Sequence, residues 1–158
     1  MKPINTATRL VLDTNILMDM LHFENIHTQP LQAKIAAGQV LCFTDTECLA
    51  ELERVTGYPE FGLEEDARNA LMARYREFVG LCDAEGEEDY PLPRCRDRDD
   101  QKFLILAARC HAGLLITRDK LLLRLARHRH KPPPFAIVTA EAACMLLGLG
   151  KFSPKDPA

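Results

Sequence analysis

The sequence predicts an α/β fold with a central parallel sheet of about five strands and helices on both faces. Five short apolar runs have the length of buried strands, and segments with the period of amphipathic helices lie between them. Strands that alternate with helices in this way are typical of parallel sheets. With 158 residues, of which 47% are hydrophobic, the chain has the size of one domain. We assign residues 1–150 to that domain and expect 151–158 to form a flexible C-terminal tail.

The strands and helices follow one another along the chain. In order, the predicted strands are RLVLD (9–13), QVLCFT (39–44), FVGLCD (78–83), GLLITRD (113–119) and FAIV (135–138). A helix is expected to begin at the end of the first strand. Segments containing ECLAELERV, LEEDARNALMARYREF, QKFLILAARCHA and TAEAACMLL provide the helices that follow.

Two of these helices carry a clear apolar stripe. In the first, the stripe is formed by Cys48, Leu52 and Val55, and Thr44 with Glu47 is predicted to form the capping box at its start. The stripe of the second comprises Leu63, Ala67, Leu71, Tyr75 and Phe78. Both stripes predict helices that pack against the sheet.

Charge and cysteine content place further bounds on the protein. The net charge of −3 excludes an overall basic protein, so a nucleic-acid surface would have to be a local patch. The six cysteines contain no C-x-x-C pair, and they are expected to be free and mostly buried in a reducing compartment. No apolar run has the length of a membrane span, and the first residues lack the pattern of a signal peptide. We therefore expect a cytoplasmic protein with no membrane partner.

Five carboxylates stand where the predicted fold would place a ligand. Ligands of open parallel sheets bind beyond the carboxyl ends of the strands. Asp13 ends the first apolar run and Asp119 ends the fourth, while Asp97 and Asp100 fall on one face of a helix start. Glu51 borders the buried stripe of its helix.

Each of these residues also has a simpler interpretation. A single aspartate before a helix is more often an N-cap than a catalyst, and Glu51 alone is typical of a boundary residue that reaches water. In one pocket, however, two carboxylates about 4 Å apart repel by roughly 4 kcal/mol at an effective dielectric constant near ~20. A divalent cation relieves that repulsion, and oxygen ligands favour Mg²⁺ or Mn²⁺. Asn15 and Thr117 are candidates to support the carboxylates, or to bond their local backbone.

Four segments in this order resemble the PIN-domain family of bacterial nucleases, in particular its toxins of toxin–antitoxin pairs. They are VLDTNIL, AELERV, RDRDDQKFLILAA and LLITRDKLLL, and the resemblance extends from about residue 9 to residue 147. It implies a three-layer α/β domain in which four acidic residues converge. By position, these catalytic and metal-binding residues are Asp13, Glu51, Asp100 and Asp119, with Asp97 as an additional acidic ligand.

The same resemblance implies an activity and its partners. Such proteins cleave RNA with Mg²⁺ or Mn²⁺, pair with an antitoxin protein and are usually homodimers. In that chemistry Asp13, Asp100 and Asp119 hold the ion that activates a water, and Glu51 assists through a second ion or a water. Asn15 and Thr117 match the asparagine and the strand-end hydroxyl of the family. The chain departs from the family pattern in two places. It has Arg98 where a proline is usual and a longer, more basic link at 128–135, and both differences concern substrate selection.

A basic segment next to Asp119 is a candidate surface for RNA. Lys120, Arg124, Arg127 and Lys131 are spaced by four, three and four residues, which predicts one face of a helix. We expect these side chains to hold the phosphate backbone. The alternative is a solvated cationic face.

Two other function classes were compared with the nuclease. One is a non-catalytic module with the same fold that binds RNA or a partner protein. The other is a phosphatase or receiver domain, which also places an aspartate at a strand end. The haloacid-dehalogenase pattern needs a second aspartate two residues after the first, where this chain has Asn15, and a receiver needs an acidic pair, where Thr14 follows Asp13.

Overall fold

A five-stranded parallel sheet forms the centre of the protein, which confirms the predicted fold class. The structure is a computed structural model in which residues 7–148 are described. The predicted tail, 151–158, lies outside the described residues, as do both ends of the assigned domain. The strands are β1 (Thr8–Leu12), β2 (Val40–Thr44), β3 (Val79–Leu81), β4 (Leu114–Ile116) and β5 (Ala136–Val138). Their order in the sheet is β3-β2-β1-β4-β5, and every neighbouring pair is parallel.

Seven α-helices and two short 3₁₀ helices occur in the part of the chain that the structure describes. The α-helices are α1 (Thr14–Leu21), α2 (Gln29–Ala36), α3 (Thr46–Thr56), α4 (Glu65–Phe78), α5 (Gln101–Arg109), α6 (Lys120–Leu125) and α7 (Ala140–Leu146). The 3₁₀ helices are Pro59–Phe61 and Arg98–Asp100. Helix α2 is an addition to the predicted elements. Between residues 7 and 148, no helix has the length and hydropathy needed to cross a membrane.

Helices cover both faces of the sheet and create two apolar cores. Alternate residues of a strand point to opposite faces, and β1 shows this directly. Leu10 and Leu12 join the core beneath α1, α2, α4 and α7, whereas Val11 joins the core beneath α5 and α6. The three-layer arrangement predicted by the family resemblance is therefore present. All six cysteines are free, and five of them are buried.

Two details of the predicted helices were wrong. The start of α3 is capped by Asp45, whose Oδ1 accepts a hydrogen bond of 2.8 Å from the backbone N–H of Cys48. Thr44 cannot be part of the expected capping box because it is the last residue of β2 and pairs there with Leu81. In α4, Ala67 is exposed although the apolar pattern placed it in the buried stripe.

The basic segment after Asp119 does not form the single helical face that its spacing predicted. Helix α6 ends at Leu125, so that Lys120 and Arg124 lie on it while Arg127 and Lys131 lie beyond it. The backbone N–H groups of residues 126–128 bond to carbonyls three residues earlier, which tightens the end of the helix. Prolines 132–134 then prevent continuation of the helix towards β5.

The order of the strands brings the ends of β1 and β4 together. The chain builds β2 and β3 on one side of β1 and then returns to place β4 on the other side. Leu12 pairs with Ile116, and the backbone N–H of Asp13 donates to the carbonyl of Ile116 at 2.9 Å. This reversal of strand order is where open α/β sheets bind their ligands. The residues that follow β1 and β4 therefore meet at the expected edge.

Candidate active site

Asp13 is buried at the carboxyl end of β1, with 4% of its surface exposed. Its backbone precedes α1 in the N-cap position, but its side chain makes no capping hydrogen bond. Instead, Oδ2 accepts hydrogen bonds from Thr117 Oγ1 at 2.7 Å and from Asn15 Nδ2 at 3.3 Å. The carboxylate is thus held by residues of both strand ends, and side-chain capping does not account for it. Of the two roles that the sequence left open, Asn15 contacts the carboxylate, whereas Thr117 both contacts the carboxylate and accepts from a nearby backbone N–H, that of Asp119.

The electrostatic surroundings of Asp13 show which other carboxylates are near. Burial raises the pKa of Asp13 to about 6, against the hydrogen bond from Thr117, which lowers it. The charges of Glu51 and Asp119 raise this pKa further. A carboxylate taken from water and placed beside like charges is stabilised by a proton or a cation.

Asp100 and Asp119 complete the group at this edge of the sheet. Burial, the neighbouring carboxyl of Asp119 and the charge of Asp13 all raise the pKa of Asp100. Asp119 also caps α6, because its Oδ1 accepts from the backbone N–H of Leu121 at 2.8 Å. Its own N–H donates to Thr117 Oγ1 at 3.0 Å. One hydroxyl therefore links the two aspartates that follow β1 and β4.

Asp97 lies at the margin of this group. It is exposed, and its Oδ1 accepts a hydrogen bond of 3.0 Å from the backbone N–H of Asp99 at the start of the second 3₁₀ helix. The simpler interpretation as an N-cap is therefore confirmed. Its charge nevertheless contributes to the raised pKa of Asp100. The role of Asp97 as an additional ligand stays a prediction.

Glu51 reaches the site from α3 and is fixed there by two donors. Lys102 Nζ lies 2.7 Å from Oε1, and the hydroxyl of Thr14 donates to Oε2. The side chain is largely buried, so the interpretation as a boundary residue that extends into water is wrong. Glu51 belongs to the carboxylate group, and its charge has a local counter-ion.

Lys102 and Thr14 are two site residues that the sequence analysis missed. Lys102 lies in the first turn of α5, where its ammonium group also donates to the carbonyl of Asp99. A lysine two residues after Asp100, at the start of an otherwise apolar helix, was the available signal for it. Thr14 stands between Asp13 and Asn15, and the sequence offered no pattern that separates its role from that of a helix-start residue.

The donor set fits a hard divalent cation. It consists of oxygen atoms, which Mg²⁺ and Mn²⁺ prefer, and its carboxylates raise one another's pKa. Among the described residues, Asn15 Oδ1 is the buried side-chain nitrogen or oxygen atom without a hydrogen-bond partner, and it stands beside Asp13. As the side chains lie, no three His, Cys, Asp or Glu residues between 7 and 148 are arranged to hold a metal ion.

Two clefts are found among the described residues, and the smaller one contains carboxylates of the site. The smaller cleft, of about 330 Å³, is lined by Asp13, Asn15 and Glu51 together with aromatic side chains. The larger cleft, of about 1010 Å³, is bordered by the segment 88–95, by Arg98 and by His128 and Lys131. Of the predicted RNA-binding residues, Lys131 therefore lines a cleft, and Lys120 begins the helix that follows Asp119.

Comparison with known proteins gives a result that agrees with this geometry. A family model described as PIN domain matches residues 9–121. The matched range contains Asp13, Glu51, Asp100 and Asp119, together with Lys102. A search of curated proteins found no match.

Proposed function

Because the chain belongs to the PIN-domain family, whose members are generally nucleases, we propose that it is a metal-dependent endoribonuclease. We further propose that it is the toxin of a type II toxin–antitoxin pair. The observation that carries the nuclease proposal is the meeting of Asp13, Asp100 and Asp119 where β1 and β4 end. The toxin assignment is supported by the resemblance of the four sequence segments to that group.

Each residue of the site has a role in this proposal. Asp13, Asp100 and Asp119 would hold Mg²⁺ or Mn²⁺, with Glu51 beside them and Asp97 at the margin. When bound, a divalent ion supplies a nucleophilic water at neutral pH and neutralises charge on the phosphate.

Thr117 and Asn15 orient the carboxylate of Asp13 by donating hydrogen bonds to its Oδ2. Lys102 and Thr14 do the same for Glu51. The carboxylates are therefore positioned before any ligand binds. Such preorganisation of charged groups contributes to rate enhancement in active sites.

Basic residues near the site are proposed to bind the RNA backbone. Lys120 and Arg124 extend from α6, which begins directly after Asp119, and both are exposed. Arg127 and Lys131 follow in the link to β5. Contacts of this kind neutralise phosphates and contribute affinity without reading the base sequence.

Cleavage of RNA by the purified protein tests the proposal. The wild type, Asp13→Asn and Asp66→Asn are incubated with structured and single-stranded RNA, with EDTA, Mg²⁺ or Mn²⁺. Asp66 is an exposed carboxylate in the first turn of α4 and serves as the matched control. We expect cleavage that needs the metal, is lost in Asp13→Asn and persists in Asp66→Asn. Cleavage that persists in Asp13→Asn would contradict the proposed site.

A second candidate function is a non-catalytic module that binds RNA or a partner protein. One observation favours it: Glu51 is already paired with Lys102, so this member of the acidic group has a counter-ion without a metal. In the same experiment, RNA that is bound but stays intact with every metal would support this candidate over the nuclease.

The proposed toxin role can be tested separately from RNA cleavage. Expression of the chain in the cytoplasm of a bacterial host should arrest growth, and co-expression of an antitoxin should restore growth. A short open reading frame directly upstream would identify the candidate antitoxin. We also propose a homodimer, which sedimentation equilibrium would detect as twice the mass of the chain.

A further inference from the structure

We propose that the cleft beside Asp13 is a nucleotide-binding subsite, in which Arg118 contacts a phosphate while Phe23 and Tyr58 stack on an unpaired RNA base. The inference rests on the proposed ribonuclease function and adds a binding site to it. These three residues line the 330 Å³ cleft that also contains Asp13 and Glu51. A nucleotide bound there would directly adjoin the carboxylates.

Arg118 brings a fixed positive charge into this cleft. Its Nε and Nη2 pair with the two carboxylate oxygens of Asp19 at 2.7 and 3.0 Å. Asp19 is buried in α1, so the guanidinium is held in place while more than half of the Arg118 side chain remains exposed. The pair leaves the Nη1 donors for another acceptor, and a guanidinium held in this way suits a phosphate oxygen.

Two aromatic residues of the cleft are exposed to solvent. Phe23 is 54% exposed and Tyr58 is 40% exposed, and both line the cleft. Phe23 follows α1, and its ring contacts those of His22 and Phe61 with centroids 4.5 and 6.0 Å apart. Phe61 in turn packs against the apolar core.

Arg118 and Phe23 are held by contacts that exist before a ligand binds. The backbone N–H of Phe23 donates to the carbonyl of Met18 at 3.0 Å, which continues the hydrogen bonding of α1 to the aromatic residue. The Arg118 side chain is anchored by Asp19. Because these groups are already ordered, binding would lose little side-chain freedom.

The chemistry of the cleft favours a nucleotide as its occupant. It combines one cationic donor, aromatic faces and a direct opening to the carboxylates, and its volume lies at the lower end of that of small-ligand sites. An apolar helix of a protein partner would cover the exposed charged groups of Glu60 and Arg118, which line the same cleft, without offering them a polar partner. Proteins recognise single-stranded RNA by stacking its bases on aromatic side chains.

Binding of a short single-stranded RNA that carries 2-aminopurine tests the subsite. Affinity is measured by fluorescence anisotropy with Mn²⁺, in an Asp100→Asn background that suppresses cleavage. We expect Phe23→Leu with Tyr58→Leu to weaken binding about tenfold and to abolish the quenching of 2-aminopurine that base stacking causes. Arg118→Gln should weaken binding and lower its salt dependence by about one ion.

Control variants show whether a change in RNA binding is specific to the subsite. Met145→Ala changes an exposed apolar side chain of α7 that is outside the cleft, and it should bind RNA like the background protein. Arg118→Lys keeps a positive charge beside Asp19, and it is compared with Arg118→Gln if the latter unfolds. Thermal melting confirms that each variant is folded.

The possible results distinguish failure of the subsite proposal from failure of the proposed ribonuclease function. Unchanged affinity and quenching in the aromatic variants, with wild-type protein that cleaves RNA, would overturn the subsite alone. Loss of self-association in those variants without a change in RNA affinity would also overturn it and assign this face to a protein interface. Wild-type protein that neither binds nor cleaves RNA with any metal would overturn the proposed function together with the subsite.

Discussion

The ammonium group of Lys102 lies 2.7 Å from the carboxylate of Glu51 and joins α5 to α3 across the candidate active site. Both side chains are largely buried, and the neighbouring Arg54 is 4.0 Å from the same carboxylate but 63% exposed. The group of carboxylates therefore contains its own cation. Because that cation is covalently part of the chain, it stabilises the charge of Glu51 when no metal is bound.

The first prediction concerns this ion pair. Lys102→Met leaves Glu51 without its buried partner, and we expect the free energy of unfolding in EDTA to fall by about 2 kcal/mol, between the values for surface and buried pairs. Added Mn²⁺ should recover part of the loss by supplying a replacement charge. Urea unfolding with and without metal measures both effects.

Arg54→Met is the matched control, since Arg54 approaches the same carboxylate from solvent. It should change stability by less than about 0.5 kcal/mol. Equal effects of the two substitutions would show that Lys102 is no more important to Glu51 than a surface charge.

The second prediction is a pH dependence caused by Asp13. Burial raises its pKa in the folded protein from 3.8 to about 6. Between these pH values the carboxyl of Asp13 binds more protons in the folded protein than in the unfolded chain, so its contribution to the free energy of unfolding falls as pH rises from about 4 to about 6. Above that range the loss is complete and amounts to about 3 kcal/mol in the absence of metal. The raised pKa of Asp100 acts in the same direction.

Asp13→Asn should therefore be more stable than the wild type at neutral pH in EDTA, and its stability should decline less with pH. Asp66→Asn, an exposed carboxylate of α4, should follow the wild type. Urea unfolding at several pH values measures the slope. Equal slopes in the wild type and in Asp13→Asn would contradict the raised pKa of Asp13.

The third prediction tests the hydroxyl that links the ends of β1 and β4. Thr117 is fully buried, donates to Asp13 and accepts from the N–H of Asp119. Thr117→Val keeps the side-chain shape but removes both hydrogen bonds, and it should lower stability by about 2 kcal/mol because one of them is to a charged group. Thr8→Val, at the opposite end of β1, should cost much less. A loss confined to activity would show that the hydroxyl positions the carboxylate without stabilising the fold.

The fourth prediction concerns a structural ion pair away from the site. Arg109 donates to both oxygens of Glu88, to Asp45 Oδ2 at 2.9 Å and to the carbonyl of Cys82. It thereby fastens the acidic loop after β3 to the start of α3. Arg109→Met should lower the free energy of unfolding by about 3 kcal/mol, because the buried carboxylate of Asp45 loses its partner.

Asp83→Asn is the control for the Arg109 prediction. Asp83 contacts the same helix start through Thr46, but it is exposed. Its substitution should cost less than that of Arg109. The reverse order of the two effects would show that the exposed contact holds the loop.

The sheet and the central aspartates could be predicted from the sequence for physical reasons. Buried parallel strands are nearly continuous apolar runs, and a polar residue at the end of such a run has to lie at the edge of the sheet. Asp13 and Asp119 both follow this rule, and the pairing of Leu12 with Ile116 brings them together. Only the strand order was not contained in the pattern itself.

The rest of the site depends on contacts between residues far apart in the sequence. Lys102 and Glu51 are separated by 51 positions, and Arg118 and Asp19 by 99, so no local pattern reports either pair. The end of α6 at Leu125 was also missed, because the basic spacing after it fits a helix, whereas the backbone changes to three-residue hydrogen bonding at 126–128. Local periodicity predicts which residues are buried in an element, but not where tertiary structure ends that element.

The last prediction concerns the basic residues on α6. Arg124 is exposed in the last turn of this short helix, one turn after Lys120, and both follow Asp119. If it contacts a phosphate of bound RNA, Arg124→Gln should lower the slope of log affinity against log salt concentration by about one. Arg76→Gln is the matched control, because Arg76 is likewise exposed in the last turn of a helix, α4. An unchanged slope in Arg124→Gln would assign this arginine to a solvated surface, since a released phosphate contact must alter the number of ions displaced.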